Sequence, residues 1–331
     1  TTTRNFSSAA NYEYYGSTFQ STGNGLPSSV KNLIINKPTY DKVDLSAPVN
    51  IDDSLLLQKG FLVSSNSIFP TLRDTTGLIN IPYGYIRSFV IGPVKIEKAS
   101  TTPAIFPIGK IKGTDTLFAP VSLLPVNTIA KSYTAEYFPQ PYSDTITDTL
   151  PIDHVSRVEY WQIKSDLNSA NADAKVFLSW RPYSKVGDDT AAHNSAALAD
   201  LVIAHYFDDG AGQKWNMEGG AAATFVIFCP TAPGDISYGI INQISHNSSS
   251  FYTDSIFTLA TKSRFNVLPV KLIKFSAVPK NNLTQLLWTT EEERSMEKYE
   301  IERSSDGISF SLVTFVSSLQ KFVQWNYGAL D

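Results

Sequence analysis

Residues 268 to 310 read LPVKLIKFSAVPKNNLTQLLWTTEEERSMEKYEIERSSDGISF. The stretch opens on Leu-Pro-Val, after which Leu272, Phe275 and Ala277 are punctuated by Lys271 and Lys274. A polar turn, Pro279 to Asn282, precedes a second run, Thr284 to Thr290, that carries Trp288. The charged connection Glu291 to Glu297 leads to a third run, Tyr299 to Arg303, and Ser304-Ser-Asp-Gly307 returns the chain to Phe310. Successive strand side chains point to opposite faces, so short alternating runs bounded by Asn, Asp, Gly and Pro predict antiparallel strands of a small sandwich. Glu291-Glu-Glu-Arg294 then reads as a solvated connection.

Working upstream, the region from about Arg87 to Asn266 gives ten longer candidate strands at roughly regular spacing, with Gly, Pro and Asn turns. That spacing predicts one antiparallel β-sandwich. Its best core signal is Val158-Glu-Tyr-Trp-Gln-Ile163 followed by Val176-Phe-Leu-Ser-Trp180. Alternation places Tyr160 and Gln162 on one face and Trp161 and Ile163 on the other. Trp161 and Trp180 are expected to fill the interior, with carbohydrate stacking as their other reading. From Val30 to about Ile81 the apolar pulses are shorter: Leu33-Ile-Ile35, Val43-Asp-Leu45, Val49-Asn-Ile51, Leu55-Leu-Leu57 and Phe61-Leu-Val63. Two architectures fit them: a few coils of a parallel β-solenoid, or ordinary antiparallel strands opening a larger sandwich. Residues 1 to 26, with Asn11-Tyr-Glu-Tyr-Tyr-Gly16, read as one or two short strands with glycine-rich turns.

The order Leu268-Pro-Val, Trp288-Thr-Thr, Tyr299-Glu-Ile-Glu-Arg-Ser304 and Ser305-Asp-Gly-Ile-Ser-Phe310 closely resembles the fibronectin-III-like segment near the C-terminus of proteins exported by the type IX pathway of the Bacteroidota. Phe106-Pro-Ile-Gly-Lys110, Tyr133-Thr-Ala-Glu-Tyr137, Val158 to Ile163, Leu198-Ala-Asp-Leu-Val202 and Phe257-Thr-Leu-Ala260 resemble the central domain of the same group. Together these cover nearly the whole chain from Leu33. The resemblance implies export to the cell surface or medium. It carries no catalytic residue over, because the group shares architecture and export rather than a reaction. A complete fibronectin-III-like sandwich has seven strands in somewhat under ~100 residues. Residues 267–331 hold four or five, so either the module is truncated or a neighbouring subunit completes its open sheet.

The expected fold is therefore all-β. A solenoid-like N-terminal part occupies residues 1–84, a central antiparallel sandwich 85–266, and a partial fibronectin-III/Ig-like module 267–331. At roughly 150 residues per domain, a chain of 331 residues suits two or three domains. Hydrophobic residues make up 42% and charged residues only 18%, with 16 Tyr and 19 Phe, a mix that fits β-structure on an extracellular scaffold. A net charge of −4 supplies no basic field for nucleic acid or anionic lipid. No apolar run approaches the ~18 residues of a membrane-spanning helix. The chain opens Thr-Thr-Thr-Arg, which reads as a mature product after signal removal or an excised segment.

The single cysteine, Cys229, excludes a disulfide framework within the chain and reads as a small buried hydrophobe. His154, His193, His205 and His246 show no metal-binding spacing, and no Gly-x-Ser-x-Gly elbow or phosphate-binding glycine loop occurs. Asp188-Asp189 and Asp208-Asp-Gly210 read as turns, with calcium ligation as the alternative. Glu136, Glu159 and Glu218 are available for paired-carboxylate chemistry, which needs two of them in one cleft. No catalytic residue, metal or cofactor is expected.

Asp followed by Ser or Thr and then a small or apolar residue recurs seven times, marking Ser54, Thr75, Thr116, Thr145, Thr149, Thr190 and Ser255. The pattern resembles the O-glycosylation motif of exported proteins in the same phylum. Turn-to-strand punctuation explains it equally. The functional expectation is a non-enzymatic extracellular structural protein, a subunit of a surface filament, sheath or adhesive layer that self-associates into a homopolymer. The alternative is a carbohydrate-binding adhesin, or a binding module of a larger secreted protein. Exposed aromatics near Tyr12, Tyr14, Tyr15 or Trp215 would favour that second reading.

Overall fold

The computed structural model describes residues 6–73, 88–145, 147, 152–167, 170–180, 184, 201–208, 212–217, 221–223, 239–243, 255–262, 271–281, 283–291, 298–305, 310–319 and 324–330. The chain divides into two compact units, Thr1–Asn266 and Val267–Asp331. Among the described residues, regular structure in both is β, apart from short 3₁₀ turns. No helix among the described residues is long and apolar enough to cross a membrane.

The first unit begins as a two-faced parallel solenoid. Asn11–Tyr15, Ser29–Asn36, Val49–Lys59, Pro70–Leu72 and Val94–Lys98 pair in parallel to form one face. Gln20–Ser21, Lys42–Asp44, Phe61–Val63, Val90–Ile91 and Ile108–Lys112 form the other. The chain alternates between faces, and each coil consumes about 21 to 24 residues. Stacking puts like beside like. Tyr12, Leu33 and Leu55 form one inward ladder, Val30, Ile51, Leu72 and Ile96 another, and Val43, Leu62, Val90 and Ile108 a third. Every aliphatic member of these ladders is buried. No coil can bury its apolar face alone, so the stack is what makes these short pulses stable. Polar ladders run outside: Asn32 donates to Asn11 at 2.8 Å, and Arg73 bridges Asp52 and Glu97. Exposed pairs of this kind stabilise by well under ~1 kcal/mol.

Within and beyond the expected residues 1–84, the coils begin before the apolar pulses at Val30 and run on to Ile108–Lys112. Residues 11–15 are its first coil, because Tyr12 and Tyr14 point inward onto Leu33 and Ile35 while Asn11, Glu13 and Tyr15 face out. The pulses Val49-Asn-Ile51 and Leu55-Leu-Leu57 belong to one strand of 11 residues, in which an irregularity turns both Asp52 and Asp53 out to solvent.

Val94–Lys98 is where the architecture changes. It pairs in parallel with Pro70–Leu72 on one side and antiparallel with Lys131–Phe138 on the other. The same sheet then continues, antiparallel, through Tyr160–Ser165, Ser255–Thr261, Leu201–Asp208 and Gln213–Met217. A second antiparallel sheet runs Ala104–Phe106, Val121–Pro125, Ala174–Trp180, Gly239–Gln243, Ala221–Ala223. The expected division at residues 84/85 is therefore not where the fold separates: strand pairing passes across it. One continuous core runs from Val30 to Leu259.

In that core the alternation of 160–163 takes its expected sense. Trp161 and Ile163 are fully buried, and Tyr160 and Gln162 lie on the other face. The polar tips of the buried aromatics are satisfied. Trp161 Nε1 donates to the Ala119 carbonyl at 2.9 Å, Tyr133 Oη to the Ala172 carbonyl at 2.7 Å, and Tyr137 Oη to Glu159 Oε2 at 2.8 Å. At a solenoid corner, Gly92 has φ +116°, and a Cβ there would lie 2.5 Å from the Ser64 carbonyl oxygen. Lys37 is fully buried at another corner, its Nζ donating to the Thr18 carbonyl at 2.5 Å and to Gln20 Oε1 at 2.7 Å.

Two substitutions test this account. Trp161→Ala is expected to lower the unfolding free energy by about 3–5 kcal/mol through the cavity it leaves. Gly92→Ala should cost about 1–2 kcal/mol for the left-handed backbone, plus the clash with Ser64. Urea unfolding measures both, and a neutral Gly92→Ala would show that the corner is not tight.

Candidate functional site

Two surfaces of the molecule carry chemistry beyond packing. The first lies on the outer face of the sandwich sheet. A second apolar cluster there joins Ile152, Val155, Val202, Ala204, Trp215, Ile256 and Ala260, with Tyr142, Tyr160, Tyr206 and Met217 half-buried against it. Its rings form a row. Phe138 stacks on Tyr160 with centroids 4.7 Å apart and planes at 9°. Tyr142 lies 5.3 Å from Tyr160 and 5.1 Å from Tyr206. Phe138 and Tyr160 are cross-strand partners, which is why two residues far apart in sequence stack.

Polar groups flank the row. Lys110 Nζ sits 5.6 Å from the Phe138 centroid and 2.9 Å from Glu136 Oε1. Tyr206 donates to Asp144 Oδ2 at 3.0 Å, and Trp215 Nε1 to the Asp144 carbonyl at 2.8 Å. Burial and the adjacent Asp144 carboxylate push the Tyr206 hydroxyl up to about 12. Burial also raises Tyr160, partly offset by its bond to Gln140. Half-exposed rings with donors and acceptors at their rim can stack on the apolar face of a sugar while bonding its hydroxyls.

The second surface is the Val267–Asp331 unit taken by itself. Lys271–Lys280, Leu283–Glu291 and Trp325–Leu330 form a three-stranded antiparallel sheet, and Lys298–Arg303 pairs with Ser311–Ser317 in a second. Their small core is Trp288, Ile301 and Tyr327, packed by Leu286, Tyr299, Val313, Val316 and Ala329. Phe275 is in register with Trp288 and on the same face, yet Trp288 is 4% exposed and Phe275 58%. The core thus covers the middle strand and leaves the edge strand bare. On the opposite face Val278, Leu287 and Leu330 are exposed as well. Among the described residues, 12 of the 18 exposed large hydrophobics lie in this unit, which holds about a fifth of the chain. Burial elsewhere is normal, so the excess is local.

The residues singled out from the sequence are dispersed. Ser54 is half-buried on a solenoid strand, Thr116 is exposed in the hairpin strand Asp115–Phe118, and Thr145 is half-buried beside Asp144. Ser255 is buried, at 2% exposure, within a central strand, so its motif is strand punctuation rather than an accessible acceptor. Thr75, Thr149 and Thr190 lie outside the described residues, as do Cys229, His193, His246, Glu218 and the Asp188-Asp189 pair. Trp215, whose exposure would have favoured the carbohydrate-binding reading, is fully buried, because alternation in its strand aims the ring into the second cluster. Tyr15 is exposed as that reading asked, at 63%. Glu136 is held by Lys110, and Glu159 is fully buried, accepting from Tyr137. His205 is sandwiched by Phe257 at 4.1 Å and Phe207 at 4.6 Å, and His154 Nδ1 lies 2.7 Å from Asp153 Oδ2. No group of three or more His, Cys, Asp or Glu among the described residues is placed to hold a metal ion. The row Phe138, Tyr160, Tyr142, Tyr206 was missed, since strand register brings Phe138 to Tyr160 and a non-strand segment sets Tyr142 against Tyr160 and Tyr206.

No family model, curated protein or solved structure matches this chain.

The tyrosine environment has a measurable consequence. A hydroxyl whose folded-state pKa is raised above its unfolded value contributes stability that is present below about pH 10 and lost as pH rises through the folded pKa. Tyr206 should therefore ionise near pH 12 in the native protein, well after exposed tyrosines such as Tyr15. Absorbance at 295 nm should show a late class of tyrosines, and Tyr206→Phe should remove one member of it. An unchanged late class would place the Tyr206 hydroxyl in solvent.

Proposed function

We propose that this is a non-enzymatic extracellular structural protein, a subunit of a surface filament, sheath or adhesive layer built by β-rich contacts between copies. The observation that carries the reading is the C-terminal unit, where exposed apolar side chains concentrate on a three-stranded sheet with a bare edge strand. Contiguous exposed apolar surface marks interaction sites, and an open strand edge is a template for further strands. Contacts between unlike surfaces that do not close propagate into fibres. Export by a type IX pathway, suggested by the C-terminal motifs, is consistent with such a role and is part of the proposal. So is O-glycosylation, for which the exposed Thr116 is the best-placed acceptor among the described sites.

A second reading has its own observation. The half-exposed row of Phe138, Tyr160, Tyr142 and Tyr206, rimmed by Lys110, Glu136 and Asp144, suits a carbohydrate-binding adhesin.

Electron microscopy of the protein from its native source is expected to show filaments or a layer with a regular axial repeat. Monodisperse particles that bind oligosaccharides on a glycan array, with binding lost in Tyr160→Ala, would replace the structural reading by the adhesin one. Intact-mass spectrometry of the same material should give a heterogeneous envelope that narrows in Thr116→Ala. A single peak at the sequence mass would remove the glycosylation proposal.

A further inference from the structure

We infer that copies join head to tail, the free edge of Asn11–Tyr15 in one copy adding to the free edge of Lys271–Lys280 in the next. The inference rests on the structural reading above and names its joint. Both strands are terminal in their sheets. Asn11–Tyr15 pairs only with Ser29–Asn36, and Lys271–Lys280 only with Leu283–Glu291, among the described residues. Each therefore presents a row of backbone donors and acceptors on its outer side.

Charge selects which edges meet. Lys271-Leu-Ile-Lys-Phe-Ser-Ala-Val-Pro-Lys280 carries three lysines and no acidic residue. Asn11-Tyr-Glu-Tyr-Tyr15 carries one carboxylate, Glu13, and no cation. Lys274, Lys280 and Glu13 are exposed. In the fully overlapped register, a two-fold contact between like edges sets Lys271 toward Lys280, or Glu13 toward Glu13, and like charges directly opposite destabilise a strand pair. The unlike combination removes both conflicts.

Register supports the same choice. Within Asn11–Tyr15, Tyr12 and Tyr14 share a face and Glu13 lies on the other. Within Lys271–Lys280, Phe275 faces with Trp288 while Lys274 lies on the opposite side. An alignment that puts Glu13 beside Lys274 therefore puts Tyr12 or Tyr14 beside Phe275, whichever way the strands run. One register makes an ion pair on one face and an aromatic pair on the other, and it adds cover to the bare ring. Because the two edges differ, each copy keeps one of each, and the contact need not close.

The competing role for the three lysines is to repel any added strand, a known use of lysine on sheet edges. The experiment separates the two. The full 331-residue chain is followed by sedimentation velocity and electron microscopy across a range of concentration and salt. Lys274→Glu and Glu13→Lys are each expected to weaken association about tenfold or more, and the double variant to restore it. Both positions are exposed, and circular dichroism melts check that the fold is kept. A zero-length carbodiimide should also cross-link Glu13 to Lys274 between wild-type copies. Filaments that form equally well in both single variants, without that cross-link, would overturn the joint and leave the structural reading standing. A wild-type chain that stays monomeric throughout would overturn both.

Discussion

Hydrogen bonding along the two edges of Val94–Lys98 sets the form of the first unit. One edge continues a parallel stack, in which each coil repeats the last. The other starts an antiparallel sheet, in which strands return on themselves. A strand can serve both because its inward residues, Val94, Ile96 and Lys98, keep the same face whichever neighbour is paired. The solenoid and sandwich therefore share one sheet and one core instead of docking as separate domains. The sandwich closes the last coil, and the coils extend the sheet.

The two ends of that long sheet are unequal. At the sandwich end, Tyr142 and Ile152 pack into the apolar cluster on the outer face, and the aromatic row there stays half-buried. At the solenoid end, Asn11–Tyr15 leaves an edge whose single carboxylate is exposed. The C-terminal unit has the complementary property, a bare and basic edge beside a small core in which Trp288, Ile301 and Tyr327 are the buried hydrophobic residues among those described. Both surfaces offered for function follow from which side of a sheet has been covered and which has not.

Much of the fold was legible in residue order. The alternation around Trp161 and the short pulses from Leu33 to Val63 each report a local period, and periods survive in a linear string. The division at 84/85 follows a change from pulses to longer strands, and strand pairing runs across it. Sheet sharing is a property of pairing, which composition does not record. The first coil was underestimated because Tyr12 and Tyr14 read as polar aromatics until stacking assigns them to Leu33 and Ile35. Whether Trp215 lies outside or inside was open for the same reason: its face depends on its neighbours in the sheet.

Taken alone, residue order determined that the fold is all-β and that Trp161 and Trp180 fill a sandwich interior. Those follow from local alternation, turn chemistry and the size of aromatic side chains. Only the tertiary structure decided that Ser255 is enclosed while Thr116 is open, that Phe138 meets Tyr160, and that Phe275 shares a face with Trp288 yet stays in water. Exposure and cross-strand contact are set by the register between segments tens of residues apart, and a single chain read in order carries no direct record of that register.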